Sequence, residues 1–264
     1  MKRISVLILT VFSFFLFFNS CDLLTEEGLT EDEIVQGLKT ALEIGTDTAC
    51  SDLNLVNGYY GNELVKILLP PEADAIFDAL ENPSVVALGL DVALQKKIDS
   101  VVLAINRAAE DVADDAKPIF VNAITSMTIS DGLNILQGND VYSVSQDTSI
   151  SFDSLAATHF MSYMTRDELF SLYEPKINLA LSKDLGLGFS ANDAWATLLW
   201  FYNNYIVILG FATIEEVDLS AYSADKGLDG LFLFVGNQEK AIRNDPYAWA
   251  SDILEKVFGY VYEE

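Results

Sequence analysis

Apolar residues recur at every third or fourth position through most of the chain, and this spacing restricts the possible folds more than any other feature. The first such run follows Thr30-Glu31-Asp32-Glu33, which has the capping-box pattern of a helix N-terminus. Behind it an apolar helical face predicts a helix that ends near Asp52. Comparable runs predict helices that begin at Pro71, Ser84, Ile119, Thr128, Asp153, Thr165 and Ala191, a helical hairpin within 218–243, and a last helix capped by Asp245-Pro246.

These patterns predict an all-α protein. We expect one bundle-like domain of roughly eight to eleven helices over residues 30–264, with at most a minor strand pair near 141–150 inside the polar segment 138–152. The most apolar stretch of this domain is 191–209. Because Asn192, Asn203 and Asn204 interrupt it, we expect a buried central helix rather than a membrane span.

Residues 1–20 have the pattern of a lipoprotein signal peptide. A basic start is followed by an almost unbroken apolar run from Ile4 to Phe18, which is shorter than the roughly 20 residues of a spanning helix. Its end, Phe18-Asn19-Ser20-Cys21, resembles a bacterial lipobox, which implies cleavage before Cys21 and diacylglycerol on its thiol. The alternative is an ordinary cleaved signal with a chance cysteine. Residues 21–29 then read as a tether, and the predicted location is the bacterial cell envelope, lipid-anchored and facing the periplasm or in the outer membrane.

The chain after the signal is strongly acidic, with all 40 acidic residues and 13 of the 15 basic ones. This balance excludes nucleic acid as a partner, because binding phosphates needs clustered Lys and Arg. Its ordinary meaning is a solvated, soluble surface. Cys21 and Cys50 are the only cysteines, so acylation of Cys21 leaves no pair for an internal disulfide. A hydrophobic core must therefore stabilise this exported chain.

Motifs for common enzyme chemistries are missing from the sequence. His159 is the single histidine, and no set of residues around it has the spacing of zinc ligands. Phosphate-binding, dinucleotide-binding and G-x-S-x-G nucleophile motifs are absent as well. We therefore predict no catalytic residue, no metal site and no cofactor. A weak alternative is a divalent cation on a ridge of Glu110 with Asp114 or of Asp111 with Asp115, where a solvated acidic face is the default.

The densest group of chemically specific residues is 106–131, and its motifs resemble those of the bacterial domain of unknown function 4197 family. The resemblance rests on Asn106-Arg107-Ala108-Ala109-Glu110-Asp111, Ala116-Lys117-Pro118-Ile119-Phe120 and Met127-Thr128-Ile129-Ser130-Asp131, with Gly58-Tyr59-Tyr60, Leu68-Leu69-Pro70, Ala156-Ala157-Thr158, Asp218-Leu219 with Tyr222, Leu228-Asp229-Gly230-Leu231-Phe232, Glu239, and Ile242-Arg243-Asn244-Asp245-Pro246 elsewhere. It covers nearly all of residues 33–259. The chain departs from the pattern in a longer segment at 140–155 and an apolar-rich one at 193–209. The resemblance implies an exported, helical, often lipidated envelope protein and brings no activity with it.

Five motif residues are polar within apolar helical patterns: Arg107, Glu110, Asp131, Glu239 and Arg243. We expect Arg107 or Arg243 to meet a carboxylate from another helix in a partly buried ion network, which would either fix the registry of the fold or bind an anionic head group. Asp111, Asp114 and Asp115 are expected to form a solvated stripe.

The leading functional prediction is a lipid-anchored envelope protein without enzymatic activity that binds a small, partly apolar ligand between its helices. A large supply of apolar rings, with 11 Tyr, 16 Phe and 3 Trp, motivates it, although a well-filled core would use the same residues. Two other classes stay open. One is a structural or interaction protein that docks an envelope partner, and the other is a cation-assisted hydrolase that uses carboxylates.

Overall fold

The computed structural model describes residues 30–139, 142, 152–184 and 186–245, and these residues form α-helices joined by turns and extended connections. The helices are α1 (Glu31–Asn54), α2 (Asp74–Leu80), α3 (Pro83–Ala87), α4 (Leu90–Val112), α5 (Lys117–Ser126), α6 (Ile129–Leu136), α7 (Ala156–Leu181), α8 (Ala191–Phe201) and α9 (Leu219–Asn244). The described ranges contain no β-strand, so the all-α prediction is confirmed. Apart from Tyr142, the proposed strand pair near 141–150 lies outside them, as does most of the helix predicted after Asp245.

The core forms where the four longest helices meet. Helix α9 contacts α7 and α1, and α4 contacts α7 and α8. Helices α5 and α6 also pack on α1. Side chains such as Leu53, Ile105, Phe120 and Leu231 are fully removed from solvent at these contacts. Burial of apolar surface from helical stripes is therefore what holds the described chain together.

Helix α4 begins later than the apolar spacing predicts. Ser84 was expected to cap one long helix, but the Asn82 side chain accepts a hydrogen bond from the Ser84 amide and caps the short α3 instead. Gly89 then adopts φ of 67°, a left-handed conformation that glycine reaches without steric cost. The chain restarts as α4 at Leu90. Leu88 and Val92, on either side of this break, are exposed although they share the helical spacing of the buried apolar residues.

In two other places, the sequence predicts a break between helices where the structure has one continuous helix. Thr165 and Glu168 have capping-box spacing, yet α7 runs through both of them. The Thr165 hydroxyl donates to the Met161 carbonyl one turn earlier, at 2.6 Å, and is satisfied inside the helix. Helix α9 is likewise one continuous helix rather than a hairpin, and Asp218 caps its N-terminus. By contrast, the capping box of Thr128 and Asp131 at the start of α6 is confirmed.

The apolar stretch 191–209 is only partly the buried helix that we expected. Helix α8 ends at Phe201 and continues as a π-helical turn over Tyr202–Ile206, then as a 3-10 turn over Val207–Leu209. Among the described residues, no single helix is long and apolar enough to cross a membrane. The segments Leu90–Ser126 and Ile129–Leu136 meet that test only as a pair, with a bend of 102° between them.

Candidate functional site

The connection between α1 and α2, residues 55–70, is held against α4 by one buried carboxylate. Glu110 accepts hydrogen bonds from the backbone amides of Tyr59 and Tyr60 at 3.2 and 3.1 Å through one oxygen. Its other oxygen forms an ion pair with Arg107 on the same helix. Arg107 also donates to the Asn57 side chain at 2.8 Å, which steadies a residue whose φ is 73°. Glu110 therefore fixes the turn 57–61 while Arg107 neutralises its charge.

Asn106 holds the second half of the same connection. Its side-chain oxygen accepts from the Ile67 amide at 2.9 Å, and its amide nitrogen donates to the Ile67 carbonyl at 2.8 Å and to the Val102 carbonyl at 2.7 Å. Asn106 and Ile67 are both buried. One side chain thus replaces the two bonds that a neighbouring strand would supply to Ile67. Asn203 makes the same pair of bonds to Ile214, at 2.9 and 3.0 Å.

Helix α9 closes the other side of the connection. The buried Tyr59 hydroxyl donates to the Gly227 carbonyl at 2.7 Å, and the Tyr222 hydroxyl donates to the Leu69 carbonyl at 3.1 Å. A Cβ atom at Gly230 would lie 2.7 Å from the Tyr59 ring and 3.1 Å from Val65, so this close approach requires glycine. Burial raises the pKa of Tyr59, which keeps its hydroxyl neutral as a donor.

A cleft of about 440 Å³ opens between this connection and α9. One wall is residues 64–68, and the other carries Tyr222, Lys226, Asp229, Gly230 and Leu233. The walls mix exposed leucines with charged groups, and Lys226 pairs with Asp229 at 2.8 Å. The hydrogen bond to that carboxylate raises the pKa of Lys226, so its ammonium stays charged at neutral pH. The volume falls within the usual range for small-molecule sites.

A second ion pair lies on α9 and joins the ends of two other helices. Glu239 accepts from the backbone amides of Ala157 and Thr158 at 3.0 and 2.8 Å, and from the Thr158 hydroxyl at 2.8 Å. Arg243 pairs with Glu239 at 2.7 Å and donates to the Ile135 carbonyl at 2.9 Å. The carboxylate therefore caps the start of α7 and the guanidinium caps the end of α6, each charge matching the helix dipole that it meets. The pocket beside this pair has a volume of about 10 Å³ and cannot hold an organic ligand.

The structure places the five predicted site residues at three locations. Arg107 and Glu110 form one pair, Glu239 and Arg243 form another, and Asp131 caps α6 while accepting from the Tyr142 hydroxyl at 2.6 Å. We expected Arg107 or Arg243 to meet a carboxylate from another helix, and the pairs seen among the described residues are with Glu110 and Glu239 instead. Both pairs lie within one helix at spacings of three and four residues, which already brings the side chains together. These paired side chains reach other parts of the fold through their hydrogen bonds to backbone groups.

The residues that the ion-pair prediction missed are those that touch the cleft or support its wall, namely Asn106, Tyr59, Tyr222 and Gly230. All four stand inside the motifs that carry the family resemblance, so the signal was present. A polar residue at a helical core position and a glycine next to apolar residues in a helix are the patterns that indicate such close contacts.

The acidic stripe is partly neutralised by lysines. Lys117 bridges Asp114 and Asp47 at 2.9 and 3.0 Å, and Lys176 pairs with Asp115 at 2.6 Å. Within the described residues, no group of three or more His, Cys, Asp or Glu side chains has the arrangement of a metal site. These carboxylates therefore act as a solvated surface with lysine partners, in keeping with the expected stripe.

The single histidine and the buried cysteine, two residue types often used in catalysis, are held in the helical core and its caps. His159 Nδ1 lies 2.7 Å from a carboxylate oxygen of Asp153, whose other oxygen accepts from the Leu155 amide at the start of α7. Cys50 is a buried free thiol, and burial raises its pKa to about 12. A thiol with that pKa stays protonated at neutral pH and is a poor nucleophile.

The chain was compared with family models, curated proteins and solved structures. Residues 28–259 match the model of the family described as "Protein of unknown function (DUF4197)". No curated protein matches the chain. No solved structure matches it either.

Proposed function

Because the chain belongs to the DUF4197 family of proteins of unknown function, we propose a role from the site itself: a lipid-anchored cell-envelope protein that binds a small, partly apolar ligand in the cleft between residues 64–68 and α9. One observation carries the proposal. Family motifs from separate parts of the chain meet at this cleft, with Leu68 on one wall and Tyr222 and Gly230 on the other, while Asn106 holds Ile67 beside them. Motif residues thus border a space that is large enough for a small molecule.

The chemistry of the walls indicates the class of ligand. Leu68 is 55% exposed, and Leu64 and Leu233 are exposed beside it, which supplies apolar contacts for a short hydrocarbon group. Lys66 and Lys226 supply ammonium groups at the rim, in a protein with a formal net charge of −25. A ligand with an apolar chain and one polar or anionic end fits both features.

A binding role suits the state of the buried carboxylates better than hydrolysis does. Glu110 and Glu239 each accept two backbone hydrogen bonds and pair with an arginine. The oxygens of such a carboxylate are taken up by structural contacts, whereas a hydrolytic pair needs two carboxyl groups with different pKa values facing a substrate. The hydrolase alternative therefore has less support than the binding role.

Native mass spectrometry of the mature protein, purified in a non-denaturing detergent, tests the ligand. We expect a co-purified small molecule, or retention of added octanoate or octanol, in the wild type. Leu68→Asp should abolish retention, while Leu88→Asp, at a residue 62% exposed on another surface, should leave it unchanged. A wild-type protein that carries and retains none of these molecules would remove the proposal, as would equal loss in both variants. Comparing octanoate with octanol shows whether the polar end must be anionic.

The anchor has its own test, which does not depend on the cleft. The intact mass of the membrane-extracted protein should correspond to a chain that begins at Cys21 and carries a diacylglyceryl group. Cys21→Ser should release the protein from the membrane fraction or leave it uncleaved. An unmodified mature chain would show that the signal is an ordinary cleaved one.

A further inference from the structure

A surface of three large side chains follows α8, and it has the composition of a membrane-interface site. Trp200, Tyr205 and Ile208 are 57%, 42% and 75% exposed. They belong to a stretch, 194–214, that contains no Asp, Glu, Lys or Arg. In a protein with 40 acidic residues, such a stretch is where electrostatic repulsion from anionic lipids is smallest and where the fewest charges would be desolvated at a lipid surface.

The π-helical turn creates this surface. Trp200 and Tyr205 are five residues apart, a spacing that an ordinary α-helix would turn to different faces. The wider turn over Tyr202–Ile206, in which the Val207 amide bonds back to the Tyr202 carbonyl, brings the two rings to 5.6 Å in an edge-to-face arrangement. Ile208 follows three residues after Tyr205, in the 3-10 turn Val207–Leu209, and is also exposed. Asn204 does not oppose this, because its side chain donates back to the Trp200 carbonyl at 2.7 Å.

A lysine flanks the aromatic group. Lys97, on α4, lies over the Phe201 ring at 5.3 Å, and that ring contacts Tyr205 at 5.2 Å. Trp and Tyr prefer the boundary between lipid and water, where their rings are buried and their polar atoms stay wet, and lysine reaches the phosphate level beside them. This combination fits a phospholipid surface better than it fits the dry centre of a protein interface, where lysine is depleted.

We propose that the surface formed by Trp200, Tyr205 and Ile208, which we term the aromatic face, docks on the lipid bilayer as a second membrane contact. It would add to the predicted acyl anchor at Cys21, since stable membrane attachment commonly combines two weak signals. Residues 22–29 can span at most roughly 30 Å when fully extended, so an acylated chain would stay near the bilayer and the face would meet it at high local concentration. The inference concerns a surface separate from the cleft and does not require a ligand there.

The test uses the complete mature chain made without its acyl group, so that acylation and the aromatic face are examined separately. With phosphatidylcholine vesicles, we expect a blue shift of tryptophan emission and quenching by lipids brominated near the headgroup. In a background that carries Trp249→Phe, so that Trp195 and Trp200 are the remaining tryptophans, Trp200→Phe should remove that quenching. Trp195 is buried and is not expected to report the lipid. Adding anionic lipid should weaken binding at low salt, because the whole protein is acidic.

Two matched variants decide between this surface and general stickiness. Ile208→Asp should lower vesicle partitioning roughly tenfold or more, the factor expected when one buried aliphatic side chain is lost from the contact. Leu179→Asp, at a residue 64% exposed on α7, should leave it unchanged. Circular dichroism and unfolding midpoints should be those of the wild type, since both side chains face solvent. Equal binding by wild type and Ile208→Asp, or equal loss in both variants, overturns the proposal. Dimerisation that Ile208→Asp abolishes, in a protein that does not bind vesicles, also overturns it and assigns the face to a second copy.

Discussion

Replacing Asn106 by Leu removes the strongest support of the cleft wall with little change of volume. The variant loses the bonds to the Ile67 amide and carbonyl, and a leucine cannot replace either one. Ile67 is 2% exposed, so water cannot easily reach the two groups that are left. Each unpaired buried group costs about 1–3 kcal/mol, which gives roughly 2–6 kcal/mol for the pair. For a chain of this size, that corresponds to a Tm lower by roughly 10 °C.

Asn203→Leu is the matched control, because Asn203 makes the same two bonds to Ile214 in a more accessible place. Water can take over part of what that side chain supplies. We therefore expect roughly 1–3 kcal/mol, near the net worth of two ordinary hydrogen bonds. Urea unfolding of the mature protein, followed by circular dichroism, measures both variants. Hydrogen exchange should show the Asn106→Leu loss first at residues 62–70. If Asn106→Leu costs no more than Asn203→Leu, burial does not set the strength of these clamps and the reasoning fails.

Three further results are expected. Gly230→Ala should destabilise the protein by about 1–3 kcal/mol, because its methyl would lie 2.7 Å from the buried tyrosine ring of the 57–61 turn. Gly227→Ala is the control: the nearest neighbour of its methyl would be 4.0 Å away, so this variant should be neutral or slightly stabilising. Equal effects of the two variants in urea unfolding would contradict the close approach. Glu239→Ala should cost about 2–4 kcal/mol and speed hydrogen exchange at Thr158, because two amides at the start of α7 lose their acceptor; unchanged exchange there would refute the capping role. Hydrogen bonds from Ser220 lower the pKa of Asp218, so its contribution to stability is complete above about pH 5 and is lost as the pH falls through the lowered value; Asp218→Asn should therefore lose less stability than the wild type on acidification, and parallel curves would count against it.

Local signals in the sequence predicted most of the helices. Apolar spacing predicted helical structure over each of the long helices, although it divided α7 and α9 in two, and the Thr128 cap fixed one boundary to the residue. The errors came from signals that need three-dimensional context. Apolar residues continue at helical spacing across Gly89, so the apolar pattern does not show that the helix breaks at this left-handed glycine. Thr165 has the correct neighbours for a cap, but its burial within the bundle favours a continuous α7.

The candidate site was less predictable because its contacts join distant parts of the chain. Glu110 was correctly selected as a polar residue in an apolar pattern, and it is buried. Its partners are backbone amides about fifty residues earlier, at Tyr59 and Tyr60, and no spacing rule connects amides to a carboxylate at that distance. The cleft lies between two segments that are distant in the chain, so it can be recognised only after the packing of those segments is known.

Gly138 and Phe152, at the two ends of the polar segment, are held together beside the end of α6. The Asp153 amide donates to the Gly138 carbonyl at 2.7 Å, and Phe152 covers Gly138, where φ is 64° and a Cβ would lie 2.5 Å from the ring. Arg243 stacks over the same ring at 5.6 Å. The residues on either side of the polar segment are thus tied together, and lengthening a connection whose ends are already joined costs little. An epitope, a fluorophore tag or a second domain spliced between residues 143 and 151 should therefore leave the stability of the helical domain almost unchanged.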